Sequence, residues 1–175
     1  MQKYRVTLTG LTSAKITVYE KSMVGYVEFM GSCLYFDKDG MVVESSKEHY
    51  GSVPKVTGLQ MDYIVLNQKL PVVDDVIFQE LLQMTQYFSS TMITFGDMES
   101  DMISLVDGIH FDSHENVSCT IGDIEISFGS GEQMEGKLQE MHDILPKLYG
   151  RKGTLHLETY DETVTEPSYV FRNRE

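Results

Sequence analysis

The chain has 175 residues, 41% apolar and 23% charged, with a formal net charge of −13. That length suits one domain with a real core, or one domain plus a fragment, and the composition excludes a disordered polymer. The acidity excludes a nucleic-acid reader and an anionic membrane surface as target. No window approaches about eighteen consecutive apolar residues, so no segment spans a bilayer as a helix. Nor does a secretion signal open the chain, because Met1 to Arg5 run directly into a strand pattern.

In chain order, residues 4–8 and 14–20 read as strands from their β-branched and aromatic content. A dense run follows: strands at 24–29, 34–44 and 53–58. Gly31-Ser32 supplies the positive φ of a tight hairpin, and Asp37-Lys38-Asp39-Gly40 supplies Asx-plus-Gly chemistry for a second reversal. Residues 45–50 read as a polar loop, with Pro54 and Gly58 marking a turn. Pro71 then precedes a helix at 75–89. Asp74 or Asp75 caps it, and Ile77, Leu81, Thr85 and Phe88 share one face that Phe78 and Leu82 widen. Burial of such a stripe contributes about 1.5–3 kcal/mol per large side chain, which makes it core rather than a cofactor box.

A meander is expected from 102 to 128. Residues 103–106 turn at Asp107-Gly108 into 109–111, and 117–121 turn at Gly122-Asp123 into 124–128. Gly129-Ser130-Gly131 opens a second helix at 132–149, with Leu138, Met141, Leu145 and Leu148 on one side, a change of direction at Pro146 and a stop at Gly150. Short strands at 153–158 and 168–171 flank a loop around Asp161. The sum is an α+β fold, a largely antiparallel bent β-sheet with two helices packed on it.

Motifs for chemistry are sparse. His110 and His114 straddle a strand end and a polar turn, and the glutamate of a zinc helix is missing. Asp37 to Gly40 lacks the frame of a calcium loop, and Gly129 to Gly131 lacks the lysine of a phosphate loop. Asn116-Val117-Ser118 is a glycosylation sequon by pattern only. Cys33 and Cys119 admit one extracellular disulfide or two buried thiols; unpaired thiols are the preferred reading. No catalytic residue, metal ligand or cofactor is expected, so the chain reads as a non-enzyme. Arg151, Lys152, Arg172 and Arg174 concentrate positive charge near the C-terminus, as solvated ends or as a patch for an acidic partner segment.

The order of these pieces resembles the FtsQ/DivIB cell-division proteins at the exit from their POTRA domain into their β-domain. Lys15 to Val27 is similar to the last POTRA strand, Tyr35 to Gly40 to the first β-domain hairpin, Pro54 to Leu59 to a proline-then-glycine turn, and Lys152 to Glu158 to the penultimate strand. The helices at 75–89 and 132–149 follow in family order. The resemblance implies a POTRA remnant at 1–22 and a β-domain at 23–175. It also implies a parent held by one membrane helix absent from this chain, the domain lying on the extracytoplasmic face of the cell membrane at the division septum. It implies a non-enzymatic scaffold and regulator of septum assembly that binds FtsB/DivIC-like and FtsL-like proteins. The FtsB-like partner adds a strand beside the C-terminal strand of the β-domain. By position, Tyr160 with Asp161, and Phe171 flanked by Tyr169 and Val170, correspond to the partner-binding residues. The Pro167-containing turn and the absence of tryptophan depart from the family pattern and leave the register of these positions open. Two other classes fit less well: an envelope-assembly module sharing POTRA-type connectivity, and a cell-wall glycan-binding domain or hydrolase.

Overall fold

A computed structural model describes residues 3–8, 14–19, 22–114, 116–165 and 169–174, the first two segments by backbone alone. Strands β1 (Lys3–Leu8) and β2 (Ala14–Tyr19) form an antiparallel pair of their own. The expected hairpins follow. β3 (Met23–Phe29) and β4 (Ser32–Asp37) reverse at Met30-Gly31, where both residues take positive φ, 49° and 76°. The turn therefore lies one residue earlier than Gly31-Ser32, with the Met30 side chain 90% exposed. β5 (Val42–Ser46) returns after a turn in which Asp37 Oδ1 accepts from the N–H groups of Asp39 and Met41, at 3.1 and 3.0 Å.

The stretch expected to be a polar loop does more than connect. His49 stacks on Tyr26 at 4.5 Å, and the Tyr50 N–H donates to the Tyr35 hydroxyl at 2.8 Å. These contacts cover a small second cluster of Tyr26, Cys33 and Tyr35.

β6 (Lys55–Thr57) does not extend the hairpin run. It lies between β3 and β9 (Gly108–Phe111), parallel to both. Gly58 makes this crossing possible: its φ is +85°, and it packs on the Phe111 carbonyl with no room for a Cβ.

Helix α1 (Asp75–Ser90) starts where the sequence predicts. Asp74 Oδ1 accepts from the N–H groups of Val76 and Ile77, at 2.7 and 3.2 Å, and Phe78, Leu81, Met84, Thr85 and Phe88 form its buried stripe. A hairpin missed by the sequence reading follows, β7 (Met92–Phe95) with β8 (Met98–Asp101). The expected strand at 103–106 is absent: Met102–Ser104 form a 3-10 turn with Met102 buried. The Asp107-Gly108 hairpin falls with it. Asp107 instead ties three segments together, donating its N–H to Thr120, accepting from the Lys55 N–H, and accepting from the Gly122 N–H through its carboxylate at 2.6 Å.

β10 (Val117–Ile121) and β11 (Ile124–Gly129) form the predicted hairpin at Gly122-Asp123. α2 (Met134–Ile144) begins two residues later than expected, with no side-chain cap, and gives way to a 3-10 turn at Leu145–Leu148 containing Pro146. That is the change of direction proline imposes. Lys137, buried in α2, donates from Nζ to the carbonyls of Phe128 and Ser130, both at 2.8 Å, and so fixes the end of β11 to the helix. β12 (Gly153–His156) and β13 (Val170–Asn173) complete the chain, the latter shifted two residues beyond the expected 168–171. Ser168 and Pro167 lie outside the described residues.

The result is an α+β fold. Its main sheet has nine strands among the described residues, in the order β13-β12-β11-β10-β9-β6-β3-β4-β5, mostly antiparallel. α1 and α2 pack on each other, and their buried stripes share one core with β3, β9, β10, β11 and β12. Cys33 and Cys119 are both buried free thiols. Among the described residues no helix is long and apolar enough to cross a membrane.

Candidate docking edge

A nine-stranded sheet has two margins, and the chain treats them differently. At β5 the segment 67–70 runs alongside: Asn67 N–H donates to Val42 O and Val42 N–H to Gln68 O, both at 2.8 Å, and Leu70 N–H to Gly40 O at 2.9 Å. β13 has β12 on one side and, among the described residues, no strand on the other.

The register shows which backbone groups face that open side. Gly153 pairs with Asn173, Thr154 with Arg172, Leu155 with Phe171 and His156 with Val170, and the ladder continues with the Arg174 N–H donating to Lys152 O at 3.0 Å. Opposed residues in an antiparallel pair alternately exchange two hydrogen bonds and none. The Lys152–Arg174 bond sets the phase. Val170 and Arg172 turn their N–H and C=O toward β12, while Phe171 and Asn173 turn theirs outward.

Side chains alternate the other way. Phe171, opposite buried Leu155, lies half-buried against the core together with Tyr169, whereas Val170 is exposed on the far face. Arg151 closes over this end: its guanidinium carbon sits 4.5 Å from the centre of the Phe171 ring, and Nη2 donates to Asn173 Oδ1 at 2.9 Å. Arg174 pairs with Glu125 at 2.8 Å and Lys152 with Asp123 at 2.9 Å. Among the described residues neither Arg151 nor Arg172 has a carboxylate partner. The four cations thus stand at this end of the sheet on both of its faces, two of them paired and two, among the described residues, without a counter-charge.

Tyr160 and Tyr169 meet beside α2. The Tyr160 ring lies over Gly136, in space that a Cβ would fill. The Tyr169 hydroxyl is buried and, among the described residues, makes no hydrogen bond of good geometry. Burial, with the Glu140 carboxylate and Tyr160 nearby, pushes that phenol up to about 12. Asp161 is less central. It is exposed, and its Oδ1 accepts from the Thr163 N–H and hydroxyl at 2.8 and 2.7 Å, which shapes the turn and holds its carboxyl below the usual range. Of the five expected residues, Tyr160, Tyr169 and Phe171 stand on the core-facing side, Val170 points away and Asp161 builds the loop. The sequence reading missed Gly136, Glu140 and Asn173; a glycine inside a helical pattern was the available signal for the first.

Gly136→Ala tests this arrangement. Alanine is favoured over glycine in a helix by about 1 kcal/mol, and the obstructing atoms are the far end of a rotatable tyrosine. The melting temperature should hold or rise while the Tyr160 ring resonances shift. Unmoved resonances would contradict the packing described.

One further group adjoins β13. His156 Nδ1 lies 3.0 Å from Glu158 Oε1, and Ser127 hydrogen-bonds the same carboxylate. Burial raises the Glu158 carboxyl, but these bonds outweigh it and the net shift is downward. The hydroxyl is spent on the carboxylate instead of the imidazole, and His156 Nε2 is buried without a partner among the described residues. That order does not activate a serine nucleophile. Among the described residues no cluster of three or more His, Cys, Asp or Glu side chains is arranged to hold a metal ion.

No protein-family model matches the chain, and no curated protein matches it.

Proposed function

We propose that this chain is a docking module of the FtsQ/DivIB type without catalytic activity of its own. It takes an extended segment of an FtsB/DivIC-like division protein as an added strand along β13, with an FtsL-like protein carried alongside. The module would act in septum assembly on the extracytoplasmic face of the membrane to which a helix of the parent protein holds it. The observation that carries this reading is the margin of β13, uncovered among the described residues, where Phe171 and Asn173 offer N–H and C=O groups at the spacing an incoming strand requires. Two supports add to it. Tyrosine and phenylalanine bury large area at little rotamer cost, and Arg151 and Arg172, without a carboxylate partner among the described residues, suit a segment carrying carboxylates.

The test is an amide-resolved NMR titration with a peptide from the FtsB/DivIC-like protein of the same source. Amides of Phe171 and Asn173 should gain protection from solvent exchange, while those of Arg172 and Arg174, already bonded to β12, should change little. Protection gained elsewhere and not on β13 would sink the reading.

A further inference from the structure

A second surface lies at the start of α1, away from β13. A cleft of about 460 Å³ opens there, walled by Gly58, Gln60, Val72, Val73, Ile77 and Phe111. Two features separate it from an ordinary surface dimple. Val73 and Val76 are 66% and 63% exposed, yet neither sits on loose chain. The Val73 N–H donates to Gln60 O at 3.1 Å, and the Asp74 cap fixes the turn of helix that carries Val76. Rigid backbone thus presents aliphatic side chains to water beside a concavity, the form that recognition surfaces take.

The second feature is the rim. Asp74 and Asp112 line the opening, and Asp75 adjoins it in sequence. Among the described residues none of the three pairs with a lysine or arginine. Asp112 is kept ionised by hydrogen bonds from Asn116 and from the His114 N–H, which hold its carboxyl below the usual range. The positive end of the α1 dipole offsets about half a charge and leaves the rim negative.

We propose that this cleft receives a large apolar side chain from a partner protein segment in which lysine or arginine flanks that residue. Val72, Val73, Ile77 and Phe111 desolvate the anchor, and the aspartates select the flanking cations. β9, which supplies Phe111, lies four strands from β13 in the sheet, so the inference is independent of strand addition.

The experiment selects a random peptide display library on the full chain, with counter-selection on Val73→Glu. Val73 is largely exposed, so this variant should melt with the parent protein; Val76→Glu provides a second reading of the same surface. Peptides enriched on the parent alone should share leucine, isoleucine or an aromatic residue flanked by Lys or Arg. A synthetic consensus peptide should bind at least tenfold more weakly to Val73→Glu, several-fold more weakly to Asp112→Asn, and equally well to Phe171→Ala. Enriched sequences without basic flanks, no difference in enrichment between parent and variant, or undiminished binding to both glutamate variants would each overturn the proposal.

Discussion

Phe171→Ala is expected to weaken binding of the FtsB/DivIC-like segment by about tenfold to a hundredfold, or about 1–3 kcal/mol. Two losses combine. The ring is the large anchor on the residue whose backbone faces the open margin, and its removal also frees Arg151, which lies over it and holds Asn173. Because Phe171 is only half-buried, the fold should lose less than a full core truncation does, about 1–2 kcal/mol. Val170→Ala is the matched control: same strand, opposite face, side chain largely in water. Calorimetric titration of both variants separates the contributions. Equal affinity for parent and Phe171→Ala, with both folded, would remove Phe171 from the interface.

Lys137→Met should cost about 3 kcal/mol of stability, among the larger effects available to one substitution in this chain. Lys137 is 3% exposed, and its ammonium donates to the carbonyls of Phe128 and Ser130. Methionine matches the stem and donates nothing, so the carbonyl of buried Phe128 loses its bond while that of exposed Ser130 turns to water. Glu132, Glu158 and Glu80 meanwhile lose the nearby cation they face. Urea unfolding followed by circular dichroism gives the number. A loss below about 1 kcal/mol would mean that water replaces the ammonium and that the helix-to-strand tie is dispensable.

Local chemistry was legible in the sequence, and distant pairing was not. The cap at Asp74, the stripe from Phe78 to Phe88, the Gly122-Asp123 reversal and the turn at Pro146 each depend on residues within a few positions, and each stands where expected or nearly so. The 103–106 run misled because a short apolar stretch has no period of its own: burial of Met102 and Val106 satisfies it equally well as a 3-10 turn. Asp107-Gly108 carries a strong hairpin signal, but the Asp107 carboxylate is drawn to Gly122, fifteen residues away. The β7–β8 hairpin was hidden by its polar second strand, Met98-Glu99-Ser100-Asp101. Parallel pairings such as β11 with β12 leave no local trace at all. The candidate edge divides along the same line. Its aromatic residues could be listed from sequence, whereas the phase of the β12–β13 ladder and the approach of Arg151 and Gly136 depend on segments brought together only by folding.

An uncovered strand is also an invitation to a second copy of the same molecule. If two β13 strands zipped together antiparallel about Arg172, that residue would approach its own counterpart, and among the described residues it has no carboxylate partner to offset the charge. Like charge at that position would disfavour homotypic pairing, and less so as ionic strength rises.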